Sequence, residues 1–147
     1  MSNDIFDLLA ELEIFIVELY AKAKNLYRLK NFTDTFQLME TVSANHSQKI
    51  KEIGDKTKIT GFDRSAVINM HHKIRDKLWN DIINENDENE VLRKMSVSEE
   101  SVGKLYLAIS AYYEKISEEY KILSTEIQSI ANEEFDHRDG LLKLLKY

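Results

Sequence analysis

The sequence predicts an all-α fold: a bundle of four helices, paired as two hairpins and joined by a long crossover that carries a helix of its own. Three observations predict it. The 147-residue chain has no Pro and four Gly, so helix breakers are scarce. Apolar residues recur at the 3.6-residue period of a helix in five stretches. Those stretches lie as two, then a long mixed connection, then two more, the connectivity of bundles with one long crossover. A chain of this length buries a core without staples, so one domain over residues 1–147 is expected.

The first helix is expected over about residues 4–29, where Leu9, Leu12, Ile16, Tyr20, Ala23 and Tyr27 fall on one stripe. Asn31 or Thr33 can cap the second, over about 32–53, with Asp34 in the first turn where the helix dipole favours a carboxylate. Its stripe is Phe32, Phe36, Met39, Val42, Ile50 and Ile53, and Gly54 is its expected stop. Val67, Met70, Ile74, Leu78 and Ile82 make a crossover helix over about 64–84, followed by the polar run Asn84 to Glu90, read as a loop. Ser98 can cap the next helix, over about 98–115, whose stripe is Val102, Tyr106, Ile109, Tyr113 and Ile116. The last, over about 118–145, carries Tyr120, Leu123, Ile127, Ile130 and Leu141.

Composition removes several function classes. With 26 acidic against 20 basic side chains the formal charge is −6, and no block of either sign suggests a nucleic-acid or anionic-membrane surface. The absence of Cys excludes thiolate zinc sites, iron–sulfur clusters and cysteine nucleophiles. Any metal must be held by Glu, Asp or His. Asp4 and Asp7 replace the basic region of a secretory signal, and no stretch reaches the roughly 20 apolar residues of a membrane span. A soluble, cytoplasmic protein is expected.

Burying a charge without a partner costs several kcal/mol, so ionisable residues on the apolar stripes are informative. In the fourth helix Ile130, Glu134, His137 and Leu141 share a face, which makes Glu134-Phe135-Asp136-His137 a Glu-x-x-His pair able to offer a carboxylate and an imidazole to one metal. Glu13 lies between Leu9 and Ile16 on the first stripe, and Glu99 lies one turn before Val102, with Glu100 beside it. Tyr20 and Tyr106 follow Glu13 and Glu99 by the same seven residues. In the second helix Met39, Ser43, His46 and Ile50 share a face, so His46 points inward. If Glu13 stands level with Ser43 and Glu99 with Glu134 on antiparallel helices, the turns fall near residues 28 and 116–117, close to the capping candidates Asn31 and Ser117. The halves form an approximate internal repeat: Glu13, Tyr20 and His46, then Glu99, Tyr106 and His137.

In this order of motifs, and above all in EESVGKLYLAISAYYE with IANEEFDHRDGLLKLL, the chain resembles the rubrerythrin-like branch of the ferritin-like di-iron carboxylate superfamily. The resemblance covers nearly the whole chain. It implies a ferritin-like bundle with terminal ligands at Glu13 and Glu99, a bridging Glu134, and terminal His46 and His137. By their spacing Tyr20 and Tyr106 are either core residues or phenols that hydrogen-bond the carboxylates and orient them. Iron, as a pair or a single ion, is the implied metal, with zinc or manganese as alternatives, and the implied activity is peroxidase, oxidase or ferroxidase chemistry. A homodimer is implied as well. Because the chain has no Cys for a rubredoxin-type iron, electrons for such chemistry would come from a separate donor.

The departure is Ser43, which stands where the family has its other bridging Glu. Glu40 does not replace it, since six residues before His46 it lies about 120° around the helix. The alternative reading is therefore a non-catalytic interaction module with a degenerate metal site. Several other residues have simpler roles. His71 and His72 are adjacent, about 100° apart on a helix, and do not share a metal. Trp79, Tyr112 and Tyr113 are packing residues. The acidic run before Glu90 lacks the Gly and final Glu of a calcium loop.

Overall fold

The computed structural model describes residues 5–56, 62–116 and 121–145, all but a few of them helical. No strand occurs among the described residues. None of their helices is long and apolar enough to cross a membrane. The chain divides into two compact units, residues 1–91 and 92–147, with the boundary inside a helix.

In the first unit α1 (Ile5–Ala23) pairs antiparallel with α2 (Thr33–Lys56). Two cross-helix contacts set the register: the Ser47 hydroxyl donates to the Ala10 carbonyl at 3.0 Å, and the Phe6 side chain lies over Gly54. Close approach is possible because small residues sit at both crossings. The buried residues of α2 are Phe36, Met39, Ser43, His46, Ser47, Ile50 and Ile53; Ser47 apart, they follow alternating steps of three and four that keep one stripe facing α1.

Helix α1 ends earlier than its apolar stripe suggests. At Ala23 the backbone tightens, Asn25 N–H donating to Lys22 and Leu26 N–H to Ala23, and the Asn25 amide donates to the Ala21 carbonyl at 3.0 Å. Asn competes with the helix for backbone partners in this way. The chain continues as a 3-10 helix, Tyr27–Phe32. Leu29 and Phe32 are buried there while Tyr27 is 90% exposed, so the predicted stripe breaks at Tyr27. Neither predicted cap of α2 caps: the Thr33 hydroxyl donates backward to the Lys30 carbonyl at 2.7 Å, and α2 opens at Thr33, not Asn31. Gly54 does not stop α2 either. It lies inside the helix, where Phe6 packs over it and leaves no room for a β-carbon.

The crossover is one helical rod in three parts: α3 (Arg64–His72), a π-helical turn (Lys73–Leu78) and α4 (Trp79–Asn84). Asp63 caps it by accepting from Ser65 N–H at 2.9 Å. The π turn answers the sequence. Met70, Ile74, Leu78 and Ile82, all buried, are spaced four apart, and each such step overruns an α-helix by about 40°. A wider turn, in which Trp79 N–H donates to Ile74, restores them to one face. The α4 carbonyls of Ile82 and Ile83 accept from the Arg28 guanidinium.

Helix α5 (Glu88–Ile116) begins ten residues before Ser98, which is therefore not its cap. Asp87 is, accepting from Asn89 N–H at 2.9 Å. The polar run read as a loop thus contains a helix start: Val91, Leu92 and Met95 are buried and make the first turns worth burying. In the second unit α5 pairs antiparallel with α6 (Lys121–Lys143). The buried Ser110 and Ser124 exchange bonds, each hydroxyl donating to the other's carbonyl, at 2.8 and 3.0 Å. Toward the other end the Phe135 ring covers Gly103. The predicted Ser117 cap, Tyr120 and the Ile116 side chain lie outside the described residues.

Candidate metal centre

Within the second unit three buried groups converge. Glu99 is 3% exposed, Glu134 0% and His137 8%. Each offers a ligand atom, and the three atoms lie within 4.8 Å of one another. Glu134 and His137 reach the site from one face of α6, one turn apart, and Glu99 comes from α5. His137 Nδ1 is 3.7 Å from Glu99 Oε2.

Why Glu99 points inward and Glu100 does not is settled by the partner of Glu100. Its carboxylate lies 3.5 Å from Arg138 and 3.6 Å from Lys104. Arg138 also covers the Phe135 ring, 5.1 Å from its centroid, and contacts Asp139 at 3.0 Å. Thus Arg138 anchors the rim next to His137, a role the sequence reading did not assign. The only signal for it was a basic residue directly following the Glu-x-x-His motif.

The first unit holds a similar pair. Glu13 is fully buried and His46 is 3% exposed, with His46 Nδ1 3.8 Å from Glu13 Oε1. Ser43 is fully buried on the same stripe of α2. Glu40 is turned away and pairs with Lys24 at 2.7 Å. Tyr20 and Tyr106 are each 1% exposed, Tyr20 packing against Phe36 at 5.7 Å.

His71 and His72 have separate partners. His71 Nε2 contacts the Leu8 carbonyl and its ring meets Phe15 edge-on at 5.3 Å. His72 contacts Asp76 at 3.0 Å.

The donor sets fit a metal. Ligands at about 2.0–2.2 Å from one ion lie at most about 4.4 Å apart. Separations of 3.7 and 3.8 Å fall inside that limit and are too long for hydrogen bonds. Carboxylate oxygen and imidazole nitrogen suit iron, manganese and zinc. A divalent cation also offsets the cost of burying two carboxylates side by side.

No family model, curated protein or solved structure matches this chain. What the site can do rests on its own chemistry. Its buried Glu and His groups can hold a metal ion.

Proposed function

We propose that this chain is a rubrerythrin-like metal-binding protein whose carboxylate and histidine centre holds iron and turns over peroxide or dioxygen as a peroxidase, oxidase or ferroxidase. The observation that carries the reading is the convergence of Glu99, Glu134 and His137 within 4.8 Å in the interior. The repeat of that pattern by Glu13 and His46 supports it. Zinc or manganese satisfy the same donors.

Iron held there would supply one-electron and oxygen chemistry. The chain's own part is to bind and to exclude water. Glu99, Glu134 and His137 provide the ligands, with Glu13 and His46 as the corresponding pair of the first unit. Val102, Tyr106, Ile130, Ala131 and Leu141, all at most 1% exposed, lie on the buried stripes of α5 and α6 that carry the ligands. Without Cys the chain has no thiolate-bound iron to deliver electrons, so a separate donor is part of the proposal, or ferrous iron is itself the substrate. A cytoplasmic homodimer with no nucleic-acid or membrane partner completes the reading.

One observation favours a second reading, a non-catalytic interaction module. Ser43 brings a neutral hydroxyl to the position in the first unit that corresponds to Glu134 in the second. A site short of one carboxylate binds metal more weakly.

Melting of chelator-treated protein with anaerobic ferrous iron, manganese or zinc tests the proposal. A ligand of the native state at one hundred times its Kd adds about 2.7 kcal/mol, a rise of about 5–10 °C for a chain of this size. Peroxide added to the ferrous protein should then produce the ultraviolet absorption of ferric iron, and Glu134→Ala should abolish both effects. A midpoint unmoved by all three metals would overturn the metalloprotein reading and leave the interaction module.

A further inference from the structure

The α1–α2 hairpin carries an incomplete copy of the second unit's cluster. Glu13 corresponds to Glu99 and His46 to His137, with matching Nδ1 to carboxylate separations of 3.8 and 3.7 Å. Ser43 precedes His46 by three residues, as Glu134 precedes His137. Both Ser43 and Glu134 are 0% exposed.

The Ser43 hydroxyl is the exception among the buried serines of the described residues. Ser47 donates to Ala10, Ser96 to Arg93, Ser110 to Ser124 and Ser124 to Ser110, each through a carbonyl. Ser43 Oγ has no hydrogen-bond partner among the described residues. A helical serine has the carbonyl four residues back within reach, and Ser43 leaves it unused. Left unsatisfied, such a group costs about 1–3 kcal/mol. It lies on the stripe of His46, one turn away.

We propose that the first half-site takes a small external carboxylate of formate size, held between the Ser43 hydroxyl and a metal ion on Glu13 and His46. The difference between a glutamate and a serine at this position is close to one carboxylate group, in volume and in charge. Formate restores both: one oxygen faces the metal, and the other accepts from Ser43 in a charge-assisted bond. Water restores neither the charge nor the second oxygen, and a fully buried position admits nothing large. Ser43 is thus a positioning residue for a replaceable ligand. The inference rests on the metal-binding reading above.

The test loads the chelator-treated full chain with manganese and titrates carbon-13 formate, reading the melting midpoint and the formate NMR linewidth. Manganese alone should raise the midpoint. Formate should raise it further and be broadened by the bound paramagnetic ion, while chloride at the same ionic strength does neither. Ser43→Ala should weaken formate about tenfold, and Ser43→Glu should bind manganese more tightly and leave formate sharp. Should Ser43→Glu not fold, the comparison with Ser43→Ala decides. Formate acting no more than chloride, or equally in wild type and Ser43→Ala, overturns this inference while metal binding stands. Manganese that fails to move the midpoint at all removes the metal reading, and this inference with it.

Discussion

His137 presents Nδ1 to a carboxylate oxygen of Glu99 at 3.7 Å across the α5–α6 hairpin, and Glu134 stands with them in the same interior cluster. Two buried carboxylates so placed repel each other unless a cation or a proton intervenes. Glu99→Gln keeps the shape and removes one charge. It should erase the rise in melting midpoint that metal produces. Paired melts with and without manganese separate a ligand from an ordinary core residue.

Glu100 provides the matched control. Its ion pairs with Arg138 and Lys104 are 3.5 and 3.6 Å long and partly exposed, and such pairs contribute about 0–1 kcal/mol. Glu100→Gln should leave metal affinity unchanged in a calorimetric titration. His137→Ala should lower it at least tenfold, about 1.4 kcal/mol.

Gly54 tests the packing of the first hairpin. A β-carbon there would stand 2.8 Å from the Phe6 β-carbon, an atom too close to the backbone to swing aside. Alanine gains about 1 kcal/mol of helix propensity but overpacks the crossing by about 1–3 kcal/mol. Gly54→Ala should therefore come out neutral to destabilising in urea melts. Gly103→Ala should be tolerated better, because its obstacle is the outer edge of the Phe135 ring, 2.8 Å away, which can rotate.

In the second hairpin, Ser110 and Ser124 satisfy each other's carbonyls in the interior. Removing one hydroxyl strips a buried carbonyl of its added partner and opens a small void. Ser124→Ala should cost about 1–2 kcal/mol, measured as a shift in urea midpoint without a change in slope.

The crossover cap gives a pH prediction. Hydrogen bonds from Ser65, side chain first and backbone second, hold the Asp63 carboxyl below its ordinary 3.8. A folded value below the unfolded one means that the cap stabilises α3 fully above the ordinary value and loses that contribution as pH falls through the lowered one. Amide exchange of Val67 and Ile68 should therefore speed up in acid relative to the core of α2. Asp63→Ala should bring that faster exchange to neutral pH.

The helices and most of their inward residues were legible in the sequence because both follow from local rules. Val67, Met70, Ile74, Leu78 and Ile82 are all buried, as a helical period requires whatever surrounds it. The same period marked Glu13, His46, Glu99, Glu134 and His137 as inward. Helix ends were less legible, since Tyr27 and Ser98 were assigned by stripe and cap patterns that competing partners overrode. Asn25 bonded back to Ala21, and Asp87 capped α5 earlier than Ser98 could.

Sequence alone thus determined an all-helical protein with carboxylates and imidazoles on apolar faces, because side-chain direction repeats with the helix and burying charge carries a known cost. Only the tertiary structure decided which of Glu99 and Glu100 enters the interior, that Gly54 lies under a crossing helix inside α2, and that the Ser43 hydroxyl has no partner among the described residues. Each of those depends on atoms supplied by residues far away in sequence, among them the Arg138 guanidinium and the Phe6 side chain, whose positions no local pattern encodes.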